Sequence, residues 1–188
     1  RTWTATDDTG NSSTYDQTIT VQDTTAPTIT APAAVTVNVD AATCEATGVA
    51  LGNAIVSDNC DDDLVATNNA PASFPLGDTT VTWTVTDDNS NTATATQIVT
   101  VEDDIAPEFS SVPADITVEC DVDTTNTANT GGSATATDNC DNDVTIIYSD
   151  STVNGTGNNS VITRTWTATD DTGNSSTYDQ TITVQDTT

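Results

Sequence analysis

Apolar and polar residues alternate along most of this chain. The runs VTVNV, TVTWTVT, TATATQIVTV, RTWTATD and QTITVQD all keep this pattern, with threonine at most of the polar positions. A period of two marks a strand with one buried face and one wet face. In the run from Val81 to Thr86, Val81, Trp83 and Val85 are expected inside, and Thr82, Thr84 and Thr86 in water. Threonine suits the wet face because its branched Cβ favours extended backbone while its hydroxyl stays solvated. No stretch carries a helical period of useful length. The runs are separated by the turn-forming segments APA, DNCDDD, NNAPAS, PLGD and DDNSN. Many short strands at this spacing predict an all-β fold, with β-sandwiches of roughly seven strands and modest cores.

The chain also repeats itself. RTWTATDDTGNSSTYDQTITVQDTT fills Arg1–Thr25 and again Arg164–Thr188, an offset of 163 residues. A weaker repeat lies inside that period. DTTAPTITAPAAVTVNVD from Asp23 matches DDIAPEFSSVPADITVEC from Asp103, and VSDNCDDDLV at 56–65 matches ATDNCDNDVT at 136–145. The divisions are 1–23, the last strands of a preceding repeat, and two units at 24–103 and 104–188. This pattern reads as a window on a longer tandem array whose super-repeat is two non-identical units; a fragment with arbitrary ends is the alternative. Residues 1–23 are expected to complete a neighbouring sandwich.

Charge narrows the function. Twenty-nine of the 188 residues are Asp or Glu, against two Arg and no Lys or His, for a net charge of −27. Nucleic acid is excluded as a partner because phosphate recognition needs cations, and anionic membrane surfaces are disfavoured. Without His or Lys there is no Ser-His-Asp, Cys-His or Ser-Lys catalysis. Paired carboxylates can hydrolyse glycosides, but acids that recur at every unit boundary do not read as an active site, so no enzyme is expected. Trp3, Trp83 and Trp166 share one repeat position on alternating strands and are assigned to cores rather than to a sugar-stacking platform. Four cysteines without any Met suggest an exported, oxidising setting. They allow three connectivities. The repeat favours Cys44–Cys60 and Cys120–Cys140, one bond inside each unit, each worth roughly 3 kcal/mol through lost chain entropy.

The ordered motifs DTTAP, SDNC, FPLGDTTVTWTVTDDNSN and VTVED resemble the HYR (hyalin repeat) domain, an immunoglobulin-like sandwich. The resemblance covers both units and the leading fragment. The second unit departs from it with NGTGNNSVITRTW, which predicts a different arrangement of its middle strands. Such repeats are similar to those of extracellular adhesins, including giant surface proteins of gliding Bacteroidetes bacteria. The resemblance therefore implies a cell-surface stalk or adhesive role, with the adhesion target unspecified. Asp-Thr-Thr and Asp-Ser-Thr triplets at 23–25, 78–80, 123–125, 150–152 and 186–188 resemble an O-glycosylation signal of those bacteria, a short motif of low specificity in so Thr-rich a chain.

In an immunoglobulin-like sandwich the chain enters at the end that carries the B–C and F–G loops. Acidic segments should therefore meet there. For the first unit they are Asp23, then Asp58, Asp61 and Asp62, then Asp87 and Asp88. For the second they are Glu102, Asp103 and Asp104, then Asp138 and Asp141, then Asp170 and Asp171. Asp186 starts the next junction, and Asp7 and Asp8 belong to the preceding one. Crowded carboxylates do not all stay ionised without a cation. An all-oxygen, carboxylate-rich set selects Ca²⁺, which extracellular modules bind at about 10⁻⁴–10⁻³ M. Asp, Asn and Gly are also ordinary turn residues, so a metal-free tight turn is the alternative for DDTGN. The expected role is a structural segment of an extracellular filament or giant adhesin, partnered by neighbouring repeats and stiffened by Ca²⁺ at inter-domain junctions. The alternative is a subunit of a pilus-like polymer that donates residues 1–23 as strands to its neighbour.

Overall fold

The computed structural model describes residues 1–186, so Thr187 and Thr188 of the last Asp-Thr-Thr triplet lie outside the described residues. The described chain is all-β apart from one 3-10 turn at Thr127–Thr130. It begins with a hairpin of β1 (Thr2–Thr6) and β2 (Ser12–Asp16). The next strands are β3 (Thr28–Thr30), β4 (Val35–Asn38), β5 (Glu45–Thr47) and β6 (Ile55–Ser57). They are followed by β7 (Thr67–Asn68), β8 (Ser73–Pro75), β9 (Gly77–Thr86) and β10 (Thr92–Glu102). The second repeat has β11 (Glu108–Ser111), β12 (Ile116–Glu119) and β13 (Thr135–Thr137). It ends with β14 (Thr145–Asn154), β15 (Ser160–Thr169) and β16 (Ser175–Gln185).

The chain forms two compact units. The first comprises Arg1–Ala33, Leu51–Ala70 and Thr80–Gln97; the second comprises Ala34–Ala50, Pro71–Thr79 and Ile98–Thr188. In the first unit β3 pairs with β6 and β7 with β9, both antiparallel. The alternation in β9 does what its sequence predicts: Val81, Trp83 and Val85 are buried. Trp83 Nε1 donates to Gln97 Oε1 at 3.0 Å, and Gln97 Nε2 donates to the carbonyls of Ala33 and Leu51 at 2.8 and 3.0 Å. Gln97 thus satisfies the N–H of the buried Trp83 indole, whose unpaired burial would cost about 1–3 kcal/mol, and ties together the backbone at Ala33 and Leu51.

In the second unit β12 runs parallel to β16, with Ile116 opposite Ile182 and Val118 opposite Val184. The rest of that sheet continues through β15 to β14, and β11 pairs with β13 in a separate two-stranded sheet. Ile162, Ile182 and Val184 form a buried cluster, with Ile116 and Val118 against it. Phe109 of β11 reaches Tyr178 of β16, with ring centroids 6.3 Å apart. The middle strands differ from those of the first repeat, as NGTGNNSVITRTW predicts. β14 and β15 make one hairpin of ten residue pairs, from Thr145↔Thr169 to Asn154↔Ser160. Its loop turns through Gly157 (φ 65°) and Asn158 (φ 59°), left-handed conformations that these residues tolerate best.

Trp3 is 55% exposed, whereas Trp166, the same letter of the repeated segment, is 2% exposed. The hairpins share their register, Thr2↔Asp16 against Thr165↔Asp179. Only the second copy has strands on either side, β12 and β14. One sequence expectation is corrected, the cysteine pairing. The disulfide joins Cys44 to Cys140, and Cys60 and Cys120 are free and exposed. The reason is visible in the second repeat. Cys120 follows β12, whose Glu119 lies opposite Gln185 at the far end of β16. Cys140 sits in a loop whose Asp138 meets Asp170, just before β16 begins. An eleven-residue strand, about 35 Å long, separates the two ends. A disulfide needs Cα atoms within about 7 Å, so a bond inside the repeat is geometrically excluded. The Cys44–Cys140 bond spans 96 residues and removes more unfolded-state entropy than a short loop, on the order of 4–5 kcal/mol.

Candidate metal centres

Each acidic centre is built on a turn that organises itself. In the first hairpin Asp7 Oδ1 accepts from the backbone N–H groups of Thr9 and Asn11 at 3.0 and 2.8 Å, and Asn11 Nδ2 donates to Asp7 Oδ2 at 3.0 Å. The Asn11 amide, with Thr9, pulls the Asp7 carboxyl down to about 2. Asp87 and Asp170 head the equivalent turns. Asn91 donates to both oxygens of Asp87, from its backbone at 2.7 Å and its amide at 2.8 Å. Asp170 accepts from the backbone N–H groups of Thr172, Gly173 and Asn174 and from the Asn174 amide. Burial works against ionisation of both carboxyls, but these bonds outweigh it and hold each below its ordinary value.

Two further carboxylates join each turn. The carboxylate oxygens of Asp23, Asp58 and Asp87 lie within 4.8 Å of one another in the first unit, and those of Asp103, Asp138 and Asp170 do so in the second. The middle member comes from the Asp-Asn-Cys loop, where Asp58 and Asp138 each accept the N–H of the cysteine two residues on, at 2.9 and 2.8 Å. Asp58 Oδ2 and Asp138 Oδ2 are buried and have no hydrogen-bond partner. Burial pushes the Asp103 carboxyl up, the Ile105 N–H opposes it, and the charges of Asp138, Asp170 and Asp104 raise it further. No arginine relieves the second triad, because Arg164 is buried and forked onto Asp150. Three crowded carboxylates with a buried, unpartnered oxygen fit a hard divalent cation such as Ca²⁺, with carbonyls and water completing its 6–8 ligands.

The other expected ligands lie outside these two triads. Asp61 Oδ2 accepts the backbone N–H of Asp88 at 3.1 Å, and Asp141 Oδ2 that of Asp171 at 3.0 Å, so each ties its loop to the neighbouring turn. Asp62 lines a shallow cleft with Asp58 and Asp61. Asp104 Oδ2 accepts from Asn38 Nδ2, and the Glu102 carbonyl accepts from the Val39 N–H at 2.9 Å. The backbone N–H of Asp186 donates to Asn159 Oδ1 at 2.9 Å. The asparagines were missed. Asn89 reaches the Asp23 carbonyl at 3.4 Å, and Asn174 reaches the Asp103 carbonyl at 3.1 Å, clamping the linker to the turn. The shared spacing Asp-Asp-x-x-Asn in TDDNSN and TDDTGN is the signal that could have found Asn91 and Asn174.

Residues 22–101 match the HYR domain family, and residues 109–184 match a family described as HYR-like domain with 4 cysteines. The chain belongs to the HYR family. Its HYR repeats are adhesion-type domains of extracellular proteins. Among solved structures, the chain is similar to Drosophila N-cadherin EC1-4 at 11% identity, with a TM-score of 0.47, covering 86% of this chain and 50% of that one. It is similar to human protocadherin-24 EC1-2 at 15% identity, with a TM-score of 0.43, covering 87% of this chain and 100% of that one. It is also similar to Sidekick-1 immunoglobulin domains 1-5 at 12% identity, with a TM-score of 0.39, covering 97% of this chain and 45% of that one. The chain thus spans about half the length of the N-cadherin and Sidekick-1 structures. No curated protein matches the sequence. Among the described residues no helix is long and apolar enough to cross a membrane.

Proposed function

We propose that this chain is a structural, non-enzymatic segment of a tandem HYR array in an extracellular filament or giant surface adhesin, and that Ca²⁺ stiffens the points where one repeat follows another. The observation that carries this reading is the recurrence of one triad at corresponding places in both repeats, Asp23, Asp58 and Asp87 and then Asp103, Asp138 and Asp170, each with a buried oxygen that has no partner. Each triad joins a linker residue, a loop residue and a turn residue. A cation held by all three supplies the missing positive charge and resists bending of the linker. The acids that carry no metal bond backbone between loops and keep the cradle in shape.

Titrating Ca²⁺ into the metal-free protein tests the reading. With a Kd of about 10⁻⁴ M, 10 mM Ca²⁺ stabilises each occupied site by about 2.7 kcal/mol. The melting temperature then rises by roughly 5–10 °C. An unchanged melt in 10 mM Ca²⁺ overturns the proposal. The exposed hairpin of β1 and β2, with Ile19 and Val21 also in water, favours completion by a neighbour's strands. If the parent is a polymer of donated strands instead, a denaturing gel resolves discrete subunits rather than one very long polypeptide.

A further inference from the structure

We infer that Cys60 and Cys120 form disulfides between successive copies of this two-repeat period, so that every HYR repeat is covalently bonded to the next. The inference rests on the tandem-array reading and is independent of calcium. Its template is the observed bond, in which Cys44, in the turn after β4, joins Cys140, in the Asp-Asn-Cys loop of the following repeat. Asn139 Nδ2 supports that contact by donating to the Thr43 carbonyl at 3.1 Å. The two unused thiols sit at the two matching positions. Cys120 lies in the turn after β12, the strand equivalent to β4. Cys60 lies in the Asp-Asn-Cys loop of the first repeat.

That loop is already shaped like its bonded counterpart. Asp58 Oδ1 accepts the Cys60 N–H at 2.9 Å, as Asp138 Oδ1 accepts that of Cys140 at 2.8 Å. Asn59 Nδ2 donates to Cys60 Sγ at 2.9 Å, as Asn139 Nδ2 donates to Cys140 Sγ at 3.3 Å. Both free cysteines are exposed. The identity of residues 1–25 and 164–188 sets the period at 163 residues, so the repeat that follows Cys120's own is a copy of the one that holds Cys60. Bond formation takes two electrons and two protons from the thiol pair. A disulfide oxidant such as glutathione disulfide accepts them and leaves as two thiols.

The test compares the 188-residue chain with the same chain lengthened by one period, residues 26–188 placed after Thr188. Both are oxidised with glutathione disulfide, alkylated and cut with chymotrypsin. Cleavage puts Cys44 in 16–51, Cys60 in 52–64, and Cys120 with Cys140 in 110–148. The 188-residue chain is expected to show 16–51 joined to 110–148 and an alkylated 52–64. The longer chain is expected to show, in addition, 52–64 joined to 110–148. Cys60→Ser in the second copy should abolish that new species, and Cys60→Ser in the first copy should leave it unchanged. Recovery of 52–64 joined to 16–51, or of alkylated Cys60 from both copies, overturns the inference. If those thiols stay free while the added Trp83 and Trp166 fluoresce as buried indoles, the disulfide alone is refuted. If the added tryptophans fluoresce as exposed, the array reading falls with it.

Discussion

Replacing Arg164 by leucine separates the buried copy of the repeated segment from the exposed one. Arg164 Nε and Nη2 donate to Asp150 Oδ1 and Oδ2, both at 2.8 Å. Nη1 donates to Thr130 Oγ1 at 2.9 Å and Nη2 to the Thr124 carbonyl at 2.7 Å. The guanidinium lies 4.1 Å from the Tyr148 ring centroid. Leucine fills part of the space but strands Asp150 without its counter-charge. Removing one member of a buried pair costs about 3–5 kcal/mol. The Asp150 side chain keeps 26% of its exposure, so water recovers part of the loss and about 3 kcal/mol is expected. Arg1 has the same sequence neighbours after it, yet it is exposed and lies 5.6 Å from the Trp3 ring centroid. Arg1→Leu should change stability by less than about 0.5 kcal/mol. Urea unfolding followed by tryptophan fluorescence checks both: at a slope of about 2 kcal/mol/M, Arg164→Leu lowers its midpoint by about 1.5 M. Equal midpoints for the two variants would refute the claim that tertiary burial, and not local sequence, gives this arginine its energetic weight.

Asp138→Asn keeps the shape of the loop but removes one negative ligand; calcium affinity measured by calorimetry should fall at least about tenfold, or ~1.4 kcal/mol, and an unchanged Kd would take Asp138 out of the site. Gln97→Leu leaves the Trp83 indole N–H and the Ala33 and Leu51 carbonyls unpaired, and should cost about 1–3 kcal/mol in the same urea assay. Acidification in calcium-free buffer should act in two directions. The raised Asp103 takes up a proton first and relieves crowding, so the melt rises slightly. The lowered Asp87 and Asp170 stabilise above the ordinary carboxylate range, and that contribution is lost as pH falls through their own depressed values. A monotonic fall from pH 7 would contradict the assignment of Asp103. Pulling the single chain by its ends should give a contour longer by about 330 Å after reduction, because Cys44–Cys140 withholds a 96-residue segment from extension.

Strand identity was legible because alternation is a local signal. Val81, Trp83 and Val85 needed only their own spacing to be placed inside. The grouping of the acids was legible for a different reason: a sandwich fixes which loops share an end, so its linker, loop and turn acids are expected together. Which acids stayed in the triad was not legible. Asp61 and Asp62 are neighbours in a run of three acids, and nothing local in that run says that Asp61 Oδ2 accepts the Asp88 backbone N–H. The disulfide pairing was not legible because a repeat in sequence is not a closed unit in space. In the second repeat the two cysteines mark opposite ends of β16, and the bond that forms reaches back to Cys44. The repeated segment shows the same limit from the other side. Ile19 and Val21 are exposed where Ile182 and Val184 are buried, although twenty-five consecutive residues are identical. Burial here belongs to the flanking strands and not to the letters.

The staggered cysteines have a mechanical consequence that neither bond has alone. The loop closed by Cys44–Cys140 and the proposed loop, closed by Cys120 and Cys60 of the following copy, would overlap between residues 120 and 140. Tension would then bypass the long strands β9, β10, β14, β15 and β16. It can pass across one disulfide, back along the twenty residues from Cys140 to Cys120, across the next disulfide, and back along the sixteen from Cys60 to Cys44. About 36 residues, or roughly 120 Å fully extended, then limit each period, in place of 163 residues and roughly 550 Å. Bonds placed inside each repeat would leave the linkers as the first segments to yield. Overlapping bonds would leave no linker outside a closed loop, so the proposed covalent path would cover the same places as the acidic triads. If both proposals hold, a cation would resist bending there, and the sulfur bridges would set how far the fibre could stretch once that resistance was exceeded.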